Sequence, residues 1–303
     1  MIVLRSRGVL VRVDPRHGAE ILDLVDLKTG RQLLGRPPFA SAEPVDGDLD
    51  EKAWTASYRG GWQVLIPNAG NACVVDGVRH GFHGRASSGQ WETLELDESA
   101  ATLTWSGHGL RVERRYAVED GTLVVTTEAT ALGRPVPLVP VEHASFGLEL
   151  LELEVEIELP GGVAYELSEV DGPPLPPPNA TEWPVVRLLD GSVERADRWP
   201  LERPRSRYLV VADLPEGRAA IRNTATGQGV ELRWETELLR HVWIWHEART
   251  YTGPWRQQAE ILALEPASVP HGLGLAEAIR REQARWLEPG ETCAWRVTAR
   301  PFS

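Results

Sequence analysis

The sequence predicts an all-β protein built as a sandwich, and three observations carry that reading. From Leu151 to Leu159, Leu, Val and Ile alternate with Glu at every step, which places five apolar side chains on one face of a strand and four carboxylates on the other. Asp76-Gly77 and Asp120-Gly121 each separate two β-rich segments, and Asp-Gly favours a two-residue hairpin turn. Many further short β-rich runs are divided by Gly, Pro, Asp or Asn, the spacing of a sandwich rather than of βαβ units.

Taken in chain order, the first hairpin joins Ala72–Val75 to Val78–His80. A strand is expected over Ala101–Trp105, and the second hairpin joins Leu110–Val118 to Thr122–Thr130. The alternating Leu151–Leu159 strand follows, then Tyr208–Ala212, Ala219–Asn223, Val230–Glu235, Val242–His246, Glu260–Leu264 and Cys293–Ala299. One helix is expected, Leu273–Trp286, where Leu275, Ala278, Ile279 and Trp286 share a face and Pro289-Gly290 ends the segment. The Pro-rich stretch Asp171–Pro178 and the Arg/Pro-rich stretch Arg195–Arg207 read as loops, because strands of the same composition resume after each. No internal repeat is visible, and one domain over residues 1–303 is expected.

The 303 residues are 42% hydrophobic and 25% charged, enough apolar material for a sizeable core. A formal charge of −12 repels a phosphate backbone, so nucleic acid is a poor partner. Cys73 and Cys293 fit neither a metal-ligand spacing nor a disulfide framework and read as reduced. The start, Met-Ile-Val-Leu-Arg-Ser-Arg, turns polar at once, with no apolar run for a signal peptide or membrane span; a cytoplasmic protein without membrane association is expected.

Phosphate loops, Gly-x-Ser-x-Gly elbows and paired-cysteine motifs are absent from the sequence, which leaves histidine, carboxylate and tryptophan as the groups able to do chemistry. They concentrate in three clusters. Gly60–Trp91 contains His80 and His83 beside glycines, an arrangement that suits close backbone approach to a ligand and equally suits a turn with half-exposed histidines. Those two histidines lack a nearby third metal ligand. Val141–Gly147 contains His143 between apolar neighbours. Trp243–His271 contains Glu247, and Glu265 after the apolar run Ile261–Leu264 and before Pro266, a strand-end position where burial can raise a carboxyl pKa toward that of a useful base. Of twelve tryptophans, Trp62, Trp91 and Trp245 lie beside these motif residues.

Together the clusters resemble the aldose 1-epimerase (galactose mutarotase) family. The resemblance rests on Gly61-Trp62 with Pro67-Asn68, on the His-Gly-Phe-x-x-Arg segment His80–Arg85 followed by Trp91, on His143-x-x-Phe146, and on Leu264-Glu265-Pro266 ahead of Pro289-Gly290-Glu291 and Trp295-x-Val297. It implies a β-supersandwich and a sugar mutarotase without a cofactor or metal, in which His143 protonates the ring oxygen and Glu265 takes the anomeric hydroxyl proton. His80, Arg85, Trp62, Asn68, His83, Trp245 and Glu247 would then bind the sugar, a hexose or hexose derivative. The chain departs from the family where many members have Asn before the mid-chain histidine and this one has Glu142, and where Asn68-x-x-Asn71-Ala72 lacks the arginine of an Asn-x-x-x-Arg. Arg59, Arg79 and Arg85 leave open a phosphorylated or sulfonated sugar. A non-catalytic carbohydrate-binding or sugar-sensing protein is the alternative, and either a monomer or a homodimer fits. If the enzyme reading holds, His80, His143 and Glu265 line one pocket, with room for a pyranose between acid and base.

Overall fold

The structure is a computed structural model and describes residues 1–302 except 41–42, 152–153, 169–173 and 200–203. Two antiparallel sheets face each other. The larger runs in the order Ile2–Arg5, Val9–Asp14, Glu20–Asp26, Trp62–Leu65, Val141–Phe146, Glu260–Ala267, His241–Ala248, Arg205–Ala212, Val163–Glu166, Thr181–Glu182, with Arg31–Gln32 beside its third strand. The second runs Arg198–Trp199, Val155–Glu158, Arg218–Asn223, Gly229–Trp234, Thr292–Phe302, Thr122–Ala131, Leu110–Glu119, Ala100–Gly107, Glu92–Leu96.

Both Asp-Gly turns form. Asp76 and Gly77 have φ of 49° and 75°, Asp120 and Gly121 of 46° and 77°, the left-handed pair that a type I′ turn needs and that Asp and Gly tolerate. The second turn closes a ten-pair ladder from Leu110↔Ala131 to Glu119↔Thr122.

Three expectations need correction. The alternating segment is not one strand: Leu148–Leu151 is a helical turn whose Leu150 and Leu151 amides return to Gly147, the strand is Val155–Glu158, and residues 152–153 lie outside the described ones. The loop readings of Asp171–Pro178 and Arg195–Arg207 fall partly on 171–173 and 200–203, also outside them; within the latter, Arg198–Trp199 and Arg205 onward are strand. The helix is only Leu275–Arg280, because Glu282 turns left-handed (φ 58°), the amides of Gln283 and Ala284 fold back to Ala278, and Arg285–Leu287 becomes a strand paired with Val136–Leu138.

The main core lies between the sheets, where Leu24, Trp62, Ala144, Ile244 and Leu264 of the larger sheet meet Leu103, Val112, Val125, Trp295 and Val297 of the second. The larger sheet is covered on its other face as well, by one cluster around Val141, Tyr165, Trp243 and Leu275 and another around Trp54, Tyr58, Trp245 and Trp255. Its central strands are therefore buried at every position, Val141–Phe146 and His241–Ala248 included. No helix of the described residues is long and apolar enough to cross a membrane.

Candidate active site

Between the two outer clusters lies a cavity of about 480 Å³, within the range of small-molecule sites, whose lining includes His83, His143, Trp245, Glu247 and Glu265. Strand register creates its centre. Alternation sends Glu142 and Ala144 into the sandwich and His143 and Ser145 outward. The pairs Ala144↔Leu264 and Ser145↔Ala263, continued by one step, set His143 beside Glu265. The ladder between these strands is interrupted between Val141↔Ala267 and Ala144↔Leu264, where Pro266 has no amide hydrogen to give. Glu265 therefore stands inside a strand that continues through Pro266 to Ala267, not at a strand end.

His143 Nε2 is 3.7 Å from Glu265 Oε1, and both side chains are buried. They are neighbours, so the expected room for a pyranose between them is absent, and the cavity opens over the pair. The two side chains meet because directly opposed residues of adjacent strands stand about 5 Å apart at Cβ. Four rings surround the imidazole, those of His83, Tyr58, Trp54 and Trp245, with centroids 5.5, 5.7, 5.8 and 6.1 Å away. Loss of solvent there pushes His143 down to about 4, against a smaller opposing effect of its own main-chain carbonyl. The same loss of solvent pushes the Glu265 carboxyl well above the usual range, and its Oε2 has no hydrogen-bond partner.

His83 reaches this cavity and His80 does not. His83 Nδ1 accepts the Gly70 amide at 3.0 Å, and burial lowers its pKa well below the ordinary value. Gly70, at φ 82°, lets the chain pass so close to Gly272 that a Cβ would stand 1.8 Å from that residue's carbonyl oxygen. His80 instead packs against His108, with centroids 4.7 Å apart, away from the cavity.

Arg85 is drawn off by Asp46, with bonds of 3.1 and 3.2 Å, and lines a separate groove. Asn68 is a buried tie: its amide donates to the carbonyls of Asn71 and Gly81, and its Oδ1 accepts the Leu275 amide. Trp62 faces the sandwich interior, donating to Glu142 Oε2 at 2.6 Å, because Gln63 takes the outward face of that strand. Trp91 is core, its indole N–H on the Ala86 carbonyl. Arg59 is buried against Asp14 and Glu20. Glu247 lines the cavity with its carboxylate accepting from the Thr250 hydroxyl and the amides of Thr250 and Tyr251.

Sequence reasoning misses much of the wall. Trp54 and the neighbouring Tyr58 sit on or beside the short helix Glu51–Ser57, whose legible signal is the Asp50 cap accepting the Ala53 amide. Phe82, Tyr208, Trp243, Tyr251 and Trp255 complete the aromatic lining, and the Tyr208 ring lies nearly parallel to that of Trp245, 6° apart in plane.

No protein-family model and no curated protein matches this sequence. Solved structures do match its shape. The Slr1438 protein of Synechocystis sp. PCC 6803 superposes with a TM-score of 0.70 at 17% identity, over 99% of this chain and 94% of that one. An Escherichia coli K12 protein provisionally named an aldose 1-epimerase gives 0.67 at 18%, over 99% and 98%. A galactose mutarotase-like protein of Lactobacillus casei ATCC 334 gives 0.64 at 15%, over the whole of both chains. At these identities the likeness establishes architecture: the chain has the all-β sandwich fold of the galactose mutarotase-like proteins.

Proposed function

We propose that this protein is a sugar mutarotase of the aldose 1-epimerase type, interconverting the α and β anomers of a hexose or hexose derivative. The observation that carries the reading is the buried His143–Glu265 pair, 3.7 Å apart, opening on an aromatic-walled cavity. Ring oxygen and anomeric hydroxyl are borne by one carbon, so adjacent acid and base suit the reaction. Glu265 as carboxylate takes the proton of the anomeric hydroxyl while His143 gives one from Nε2 to the ring oxygen; the bond from C1 to the ring oxygen breaks and the aldehyde forms. Rotation about C1–C2 and the reverse transfers close either anomer.

Opening leaves both residues uncharged, which is the state burial favours for each. The site thus leans toward the form of the pair that accompanies the open aldehyde, and each form carries a single shared proton, so cycling draws none from solvent. The surrounding rings keep water from the aldehyde. Of the residues the resemblance assigns to sugar binding, His83, Trp245 and Glu247 line the cavity, which supports giving them the contacts to the sugar.

The test is polarimetry on freshly dissolved α-anomers of several hexoses. Glu265→Gln and His143→Ala are each expected to slow mutarotation by at least about 10²-fold with circular dichroism unchanged, the usual worth of a positioned proton transfer. A variant that keeps near wild-type rate removes that residue from the mechanism.

A further inference from the structure

We infer that the cavity selects its sugar by charge, favouring an amino sugar that carries an ammonium group over a neutral aldose and rejecting a phosphorylated one. The inference rests on the mutarotase reading for the sugar and on the lining for the charge. Although 32 of 303 residues are Lys or Arg, none lines this cavity among the described residues; its ionisable lining is Glu51, Glu247, Glu265, His83, His143, Tyr208 and Tyr251. Of the arginines beside the first motif cluster, Arg59 is held by Asp14 and Glu20 and Arg85 by Asp46, while Arg79 is exposed on the strand Val78–His80 and does not line the cavity.

Glu247 is the central observation. It is buried, its carboxylate is bonded by the neutral donors of Thr250 and Tyr251, and no described Lys or Arg forms an ion pair with it. A buried carboxylate without a counter-cation at the wall of a binding cavity is a place where an incoming ammonium is stabilised and an incoming phosphate is not. The wall is rich in aromatic rings, Trp54, Trp245, Trp255 and Tyr251 among them, and the electron-rich faces of such rings attract cations. Buried polar atoms left unpartnered in the lining residues, the indole N–H groups of Trp245 and Trp255 and Oε2 of Glu265, call for a polar ligand rather than an apolar one. The formal charge of −12 adds a long-range bias of the same sign.

The test titrates the full chain by tryptophan fluorescence with glucosamine, glucose, N-acetylglucosamine and glucose 6-phosphate, and follows the mutarotation of each by polarimetry. Glucosamine is expected to bind about tenfold more tightly than glucose and N-acetylglucosamine, and glucose 6-phosphate at least about tenfold more weakly. Glu247→Gln, which keeps an acceptor for the Thr250 turn, should bring the ratio of glucosamine to glucose toward one. Should that variant not fold, Thr55→Lys on the half-exposed face of the helix Glu51–Ser57 supplies the missing cation and should turn the preference toward the phosphate. Equal affinity for glucosamine and glucose, or tighter binding of the phosphate by the unmodified protein, overturns the inference. Turnover with a flat ranking overturns the charge selection alone, and the ranking without turnover overturns the mutarotase reading alone.

Discussion

Ser145 holds the back of the His143 imidazole. Its Oγ lies 3.4 Å from Nδ1 and takes the Tyr58 hydroxyl on its other side, in a setting from which solvent is excluded. A hydroxyl oxygen has two lone pairs, so one can accept from Tyr58 while the second accepts the Nδ1 proton, leaving Nε2 turned toward Glu265. Ser145→Ala should lower kcat by about 10- to 10²-fold with KM little changed, and Ser145→Thr should restore much of it. A change confined to KM would remove the positioning role. Glu265 is legible in the sequence because it follows the apolar run Ile261–Leu264, which signals burial of a group that is costly to bury, whereas His143, with Glu142 and Ser145 close by, stands out only through the family resemblance. Trp62 and His80 mislead for a different reason: proximity to a motif does not say which face of a strand or which side of a turn a side chain takes. Trp54 and Tyr58 are invisible beforehand, since a seven-residue helix is too short to print a period.

The strand Val141–Phe146 is pinned from behind by a charge pair inside the sandwich. Glu142 receives two bonds from Arg114, each 2.7 Å, and the indole N–H groups of Trp62 and Trp295; Arg114 also donates to Thr127 and Tyr116. Burial works against the Arg114 charge, but Glu142 overcomes it and holds the guanidinium above its ordinary pKa. Glu142→Leu should cost about 3–5 kcal/mol in urea unfolding because it strands a buried guanidinium, whereas Glu142→Leu with Arg114→Met should recover much of the loss. Strict additivity of the two single changes would show that the pair is not coupled. The hairpins are legible because Asp-Gly dictates its own φ angles. The central strands are less so: His241–Ala248 is buried on both faces, so its sequence, His-Val-Trp-Ile-Trp-His-Glu-Ala, carries no wet side. The shortened helix at Leu275–Arg280 shows the limit of periodicity, since the same apolar spacing continues into a segment captured by strand pairing with Val136–Leu138.

Across the whole molecule, solvent exclusion lowers six imidazoles, His80, His83, His143, His241, His246 and His271, four of them to about 4. The unfolded chain takes up protons on these rings near 6.5, and the folded chain refuses them until much lower pH. Stability should therefore be full above about 6.5 and fall as pH drops toward 4, by up to about 1.4 kcal/mol per pH unit for each ring that titrates. Glu265 acts oppositely, its raised pKa costing stability as pH rises above 4.5, but it is one group against six. Urea midpoints at pH 7.5, 6.5 and 5.5 read the slope, and a flat profile would mean that these rings are not held neutral. The cross-strand placement of His143 and Glu265 has one more consequence. The two residues sit on hydrogen-bonded neighbours in the middle of a ten-strand path; of the groups around them, Trp54, His83 and Tyr251 come from connecting segments, while Tyr208, Trp245 and Glu247 stand on the next strands of the same sheet. Part of the wall is therefore a separable inheritance: the segments carrying Trp54, His83 and Tyr251 can be exchanged to alter what the cavity admits without repacking the sandwich, whereas the His143–Glu265 pair, Trp245 and Glu247 stay in place as long as the sheet does.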